Sequence, residues 1–287
     1  MSFAARLAAL VAERESQIVL GLDPDPGRVW PQALDAAPPA GSAAERAAEV
    51  VVAHCCALIA AAGPACVAVK PQVACFERLG APGWAALARV AGAARAAGLL
   101  VLADAKRGDI GVSAEAYAQA LLGSVPTPFG PVTAVDADAM TVNPYLGAET
   151  IEPYLATGRG VFVLVRTSNP GAVDFEDQPL AAGGALWEVV ARAVDRLGAH
   201  AVVGATAPEH LARARELMPR ATFLLPGVGA QGGRVEDLAA AFAPGRSGGL
   251  VTASRSIARA HEEHGGDPAA AARAEAERLR AQAWALA

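Results

Sequence analysis

Leu99-Leu100-Val101-Leu102-Ala103-Asp104-Ala105-Lys106-Arg107-Gly108-Asp109-Ile110 is the stretch on which the reading of the fold turns. Five apolar residues run without a polar interruption and then give way to four charged residues in six. A strand that alternates apolar and polar residues has one wet face, whereas an unbroken apolar run is dry on both, which is the mark of a parallel sheet covered by helices. Charge concentrated where such a strand ends marks the place where a βα loop opens to solvent.

The same pattern recurs along the chain. Apolar runs occur at 18–22, 66–69, 99–103, 139–142, 161–165, 201–203, 222–225 and 249–252. Helical patterns follow them at roughly 43–62, 84–97, 113–122, 148–155, 185–197, 208–217, 235–242 and 268–286. Eight strand–helix units in 287 residues predict a (β/α)8 TIM barrel, 1–287 forming a single catalytic domain, with a doubly wound open sheet as the rival. The amphipathic segment 2–14 precedes the first unit and is expected to cover the bottom of the barrel. Two longer connections, 126–138 and 168–184, interrupt the rhythm, and the second is expected to serve as a lid.

Composition narrows the partners. The chain is 53% hydrophobic, 5% aromatic and carries a formal charge of −5, with no dense run of Lys or Arg. A nucleic-acid partner is not expected; a small phosphorylated substrate stays open, because one arginine and a few backbone N–H groups can hold one phosphate. The N-terminus lacks the pattern of a signal peptide and no stretch reads as the roughly 20 apolar residues of a membrane span, so a cytoplasmic protein without membrane association is expected. Cys55, Cys56, Cys66 and Cys75 form no C-x-x-C pair and read as free thiols, Cys66 in a strand and Cys55 and Cys56 in a helix.

In a barrel, chemistry gathers at the C-terminal ends of the strands. The polar residues there are Asp23, Lys70, Asp104, Lys106, Asn143, Arg166, Ser168, Gly227 and Arg255. Residues two apart on an extended chain face the same way, so Asp104 and Lys106 should both face the mouth, with Arg107 turned aside. Gly108 allows a sharp turn and Asp109 falls near the next helix start.

Asp104-x-Lys106-x-x-Asp109-Ile110, preceded by Val69-Lys70-Pro71, resembles the signature of the orotidine 5′-monophosphate decarboxylases. Gly21-Leu22-Asp23-Pro24, Thr167-Ser168-Asn169-Pro170-Gly171-Ala172, Pro226-Gly227-Val228-Gly229-Ala230-Gln231-Gly232-Gly233 and Ser254-Arg255-Ser256-Ile257 follow in the family's order across 18–257. The long loops and the P-G-V-G-A-Q-G-G form are similar to its second, mainly bacterial group. Ser113 stands where many relatives carry threonine, keeping the hydroxyl.

This resemblance implies a decarboxylation of orotidylate to uridylate that uses neither metal nor cofactor. It implies Lys106 as the proton donor to the carbon that loses carbon dioxide, with Asp104 holding it. Lys70 and Asp23 would meet the ribose and Ser168 the pyrimidine edge. Pro226, Gly227, Gln231 and Arg255 would take the phosphate, and Asp109 would reach into a neighbouring subunit's site in a homodimer.

Two other readings are open at this level: a magnesium-dependent phosphosugar decarboxylase of the same barrel family, and a catalytically silent barrel that binds phosphorylated ligands. Gly227-Val228-Gly229-Ala230-Gln231-Gly232 also spells G-x-G-x-x-G, but it follows the seventh strand and not the first, so a dinucleotide site is not expected. A glycine-rich loop after strand 7 with an arginine after strand 8 is instead the common phosphate position of a barrel. His261-Glu262-Glu263-His264 lacks the spacing of H-E-x-x-H and reads as a solvated helix end.

Overall fold

The computed structural model describes residues 1–229 and 232–287. Eight parallel strands close into a barrel in chain order: β1 (Ile18–Leu22), β2 (Ala68–Pro71), β3 (Leu100–Arg107), β4 (Ala139–Val142), β5 (Gly160–Arg166), β6 (His200–Val203), β7 (Phe223–Leu225) and β8 (Gly249–Ala253). The ring closes where Ile18, Val19 and Leu20 pair with Val251, Thr252 and Ala253. The open-sheet rival is thereby removed.

Alternate residues of each strand serve two cores. Val19, Leu100, Leu102, Phe162, Val202, Leu224 and Leu250 fill the barrel interior, while Ile18, Leu20, Val69, Val101, Val161, Val163 and Val251 pack outward under the helices. The interior is a packed core. Its lower end is closed by the helix Phe3–Arg14, whose buried Phe3, Leu7 and Val11 lie four residues apart on one face. Phe3 meets Phe162 edge to face with ring centroids 5.9 Å apart. Polar clamps fix this floor: Arg14 donates to the carbonyls of Gly63, Cys66, Ala97 and Gly98 at 2.8–3.1 Å, and Arg6 pairs with buried Asp138 at 2.7 Å.

The longest outer helix, Ala43–Ala62, starts at a capping box in which Ser42 and Glu45 satisfy each other's backbone N–H groups. Continued to Ala65 it is long and apolar enough to cross a membrane, which corrects the expectation that no such stretch exists. Here most of that surface is covered, with Val51, Cys55, Leu58 and Ile59 in the layer between helices and strands. The strand expected at 66–69 lies two residues later, because β2 takes its register from β1, Val19 against Ala68; Cys66 therefore precedes the strand and is buried beside it. The segment 235–242 winds as a 3-10 helix.

Candidate active site

A cavity of about 680 Å³ opens at the C-terminal ends of the strands, within the roughly 300–1,000 Å³ typical of small-molecule sites. Lys70 at the end of β2 and Asp104 and Lys106 in β3 converge in it. Lys70 Nζ lies 2.6 Å from Asp104 Oδ2, and Lys106 Nζ lies 2.6 Å from Asp104 Oδ1.

Burial alone would raise the pKa of the Asp104 carboxyl, but the ammonium groups of Lys70 and Lys106 outweigh it and hold the group well below the usual carboxylate range. Burial likewise works to lower the pKa of Lys70, and the charges of Asp104 and Asp23 overcome it, leaving it raised. Asp104 and Lys70 are thus both ionised at neutral pH. The two lysines differ in access: the Lys106 side chain is 45% exposed, that of Lys70 only 8%. Lys70 is a largely buried counter-ion that still touches the cavity wall, and Lys106 is the more accessible ammonium.

The backbone that presents Lys106 is irregular. Its φ is +48°, and the pairing of β3 with β4 shifts register between Ala103 and Arg107. The side-by-side projection expected of an extended chain is therefore replaced by a local kink, yet the side chains still meet. Arg107 turns away, as expected, into an ion pair with Glu77. Gly108 has no need of a positive φ; a β-carbon there would stand 2.8 Å from the carbonyl oxygen of Asn143, so glycine allows the two loops to touch.

Asp23, Ser168, Pro226, Gly227 and Arg255 line the same cavity. Arg255 is exposed, and its side chain makes no hydrogen bond or ion pair among the described residues. Gly227 has φ +104° and Gly229 φ +74°, conformations open to glycine, and the loop is tied to itself where Gly229 N–H donates to the Gly233 carbonyl at 2.9 Å and Gly233 N–H to the Gly227 carbonyl at 3.0 Å. Gln231 lies outside the described residues.

Asp109 and Ser113 are absent from the cavity lining. Asp109 accepts the N–H of Ile110 at 2.8 Å, and the helix begins at Gly111, two residues beyond it. Asn143 and Arg166, expected at the mouth, are also absent from this cavity. Asn143 Oδ1 accepts the N–H of Tyr145 at 3.0 Å, and Arg166 is engaged bidentately by Asp177 at 2.7 and 2.8 Å. That pair, with Thr167 donating from its amide and hydroxyl to Glu176 at 2.8 Å, staples both ends of the loop after β5. Between the staples, Ser168, Asn169, Gly171, Ala172 and Phe175 overhang the cavity.

Two residues that the sequence reading passed over donate to Asp104: Gln72 Nε2 to Oδ2 at 3.2 Å and Thr141 Oγ1 to Oδ1 at 2.9 Å. The available signal for Thr141 was a lone hydroxyl in the apolar run Ala139-Met140-Thr141-Val142, and for Gln72 its position two residues after Lys70. Among the described residues no group of three or more His, Cys, Asp or Glu side chains is arranged to hold a metal ion.

Comparison with known proteins identifies the family. A Deinococcus radiodurans orotidine 5′-phosphate decarboxylase is 44% identical over 216 residues, covering 70% of this chain and 74% of that protein. A Rhodopirellula baltica protein of the same name is 38% identical over 284 residues, 91% of this chain and 90% of that one. The solved structure of Leishmania donovani OMP decarboxylase superposes with a TM-score of 0.75 at 33% identity, spanning 98% of this chain and 99% of that one. The sequence pattern described as "Orotidine 5'-phosphate decarboxylase / HUMPS family" matches residues 16–274, nearly the whole barrel, and the chain belongs to that family.

Proposed function

We propose that this protein decarboxylates orotidine 5′-phosphate to uridine 5′-phosphate with its own side chains alone, and that Lys106 delivers the proton. The observation that carries the reading is the reachable Lys106 ammonium held at 2.6 Å by a buried, ionised Asp104 inside the barrel mouth. When the ring–carboxylate bond breaks, carbon dioxide departs and the electron pair stays on the ring carbon in the ring plane. A fixed ammonium aimed at that carbon stabilises charge where it develops, then gives up its proton to form the new C–H bond. Asp104 holds the amine in place until that moment.

The remaining residues bind what does not react. Asp23 and Lys70 suit the ribose hydroxyls, Ser168 the pyrimidine edge, and the Pro226–Gly227 loop with Gln231 and Arg255 the phosphate. Energy from holding the phosphate can be spent in orienting the distant reacting carbon.

The site is completed by a second copy of the chain. Asp109 and Ser113 lie off the cavity, on a stretch that exposes Ile110 (59%) and Val112 (82%), and after β4 Tyr145 is 86% exposed. Apolar side chains exposed in company suit an interface, and a homodimer would carry Asp109 into the neighbour's mouth. Residues 1–287 act as one catalytic domain in a reducing, cytoplasmic setting, which suits the four unpaired thiols.

The test is a direct assay with orotidine 5′-phosphate in excess chelator and without added metal. Uridine 5′-phosphate and carbon dioxide should form at the same rate with and without the chelator. Absent turnover, or turnover that the chelator abolishes, would overturn the reading.

A further inference from the structure

The Thr141 hydroxyl stands between two groups of opposite need. It donates to Asp104 Oδ1 at 2.9 Å and accepts the backbone N–H of Lys106 at 3.0 Å. A carboxylate only accepts and an amide N–H only donates, so the directions of both bonds are fixed and the hydroxyl rotor has one setting. Asp104 Oδ1 in turn accepts the Lys106 ammonium. Lys106 is therefore tied at both ends to one hydroxyl: directly through its backbone, and through Asp104 at its Nζ.

That double tie matters because the Lys106 backbone is left-handed, at φ +48°, a region that residues with a β-carbon seldom adopt and that persists only where surroundings hold it. The register shift between β3 and β4 falls on the same segment. The neighbours of Thr141 in β4 are Ala139, Met140 and Val142, and Thr141 itself is 1% exposed. A purely packing role there would be served by an apolar side chain.

We propose that Thr141 is a positioning residue for proton delivery: it locks the strained Lys106 backbone and orients the carboxylate that aims the Lys106 amine. Gln72, on the other oxygen of Asp104, completes the set of four donors and leaves the carboxylate no freedom to rotate. The proposal rests on Lys106 as the proton donor.

Four full-length variants test it: Thr141→Val, Thr141→Ala, Thr141→Ser and Lys106→Ala, each checked for folding by its melting temperature. Thr141→Val is expected to lower kcat on the order of 10- to 100-fold, since small misplacements of reacting groups are that damaging. KM and the dissociation constant for uridine 5′-phosphate should stay within about threefold of wild type, because the groups that hold the nucleotide are untouched. Thr141→Ser, which keeps the hydroxyl, should recover most of the rate.

The proposal is overturned if a folded Thr141→Val keeps its kcat, if serine fails to rescue, or if product affinity collapses in step with kcat. Should valine prevent folding, Thr141→Ala is read by the same criteria. Lys106→Ala separates the two layers: full activity there removes Lys106 as the donor, whereas a dead Lys106→Ala beside a fully active Thr141→Val removes only Thr141.

Discussion

Lys70 and Lys106 are bound by opposite oxygens of one carboxylate, each at 2.6 Å from Asp104. Two ammonium groups so close would repel each other strongly without that bridge, and a buried carboxylate without partners would take up a proton. The three charges are mutually conditional, so removing any one changes the protonation or position of the others.

Lys106→Ala should reduce kcat/KM by at least about five orders of magnitude, about 7 kcal/mol of transition-state stabilisation. Uridine 5′-phosphate binding, measured by calorimetry, should survive. If both variant and wild type bind the product yet neither turns over substrate, the protein is a binding barrel and not an enzyme.

Arg255→Ala is expected to act mainly on substrate capture. The phosphate carries the same charge before and during reaction, so its loss is felt as a raised KM more than a lowered kcat, on the order of 10- to 1,000-fold in kcat/KM. Steady-state kinetics with orotidine 5′-phosphate reads this; a wholly kcat-borne loss would place Arg255 nearer the reacting carbon than proposed.

Mixing Lys106→Ala with Asp109→Ala protein should restore part of the activity that each lacks alone. In a mixed dimer one of the two sites receives wild-type groups at both positions, so recovery approaches about a quarter of the wild-type rate if subunits exchange at random. Failure despite demonstrated subunit exchange would show that each site is built from one chain.

Acid stability should be governed by His54 and His200. Burial depresses both imidazoles from 6.5 to about 4, with nearby His261 adding to the effect at His54. Each Nδ1 accepts a backbone N–H, from Trp30 and Thr222 respectively, which a protonated ring cannot do. The unfolded chain binds these protons below pH 6.5 and the native state only near 4. Stability is therefore fully present above pH 6.5 and falls through that window, by about 3 kcal/mol for each group once both states are protonated. Urea unfolding at pH 7.5, 6, 5 and 4.5 should show the slope, and His200→Gln should shallow it; an unchanged slope would remove His200 from the account.

Leu7→Ala, on the helix that closes the barrel floor, should destabilise by about 2–4 kcal/mol through the cavity it leaves. The melting temperature should fall while KM is unchanged, because the floor lies at the opposite end of the barrel from the mouth.

What the sequence disclosed and what it concealed have the same physical origin. The alternation of strands and helices was legible because parallel strands buried on both faces leave unbroken apolar runs. The helices Ala43–Ala62, Pro208–Leu217 and Pro268–Leu286 were legible to the residue because a capping box or a proline at the first turn marks each start. By contrast, β3 runs on through Arg107, past the charges that were taken to end it, because its ladder is set by β4 and not by its own polarity. Lys70, Asp104 and Lys106 could be singled out as charges at strand ends. Gln72 and Thr141 left only faint local marks, a position two residues after Lys70 and a lone hydroxyl in an apolar run, because their importance lies in touching Asp104 from other segments of the chain. The uncommitted state of Arg255 and the stapling of Arg166 by Asp177 are likewise facts of three dimensions: both read as arginines after a strand.

The floor of the barrel, sealed by Phe3, Leu7 and Val11 and clamped by Arg14, makes the catalytic chamber a vessel with one opening. Nucleotide entry and gas escape must use the same doorway, under the stapled arch between Arg166 and Asp177. Substrate arriving and products leaving therefore share one passage, past the Ser168, Asn169 and Phe175 side chains that line it.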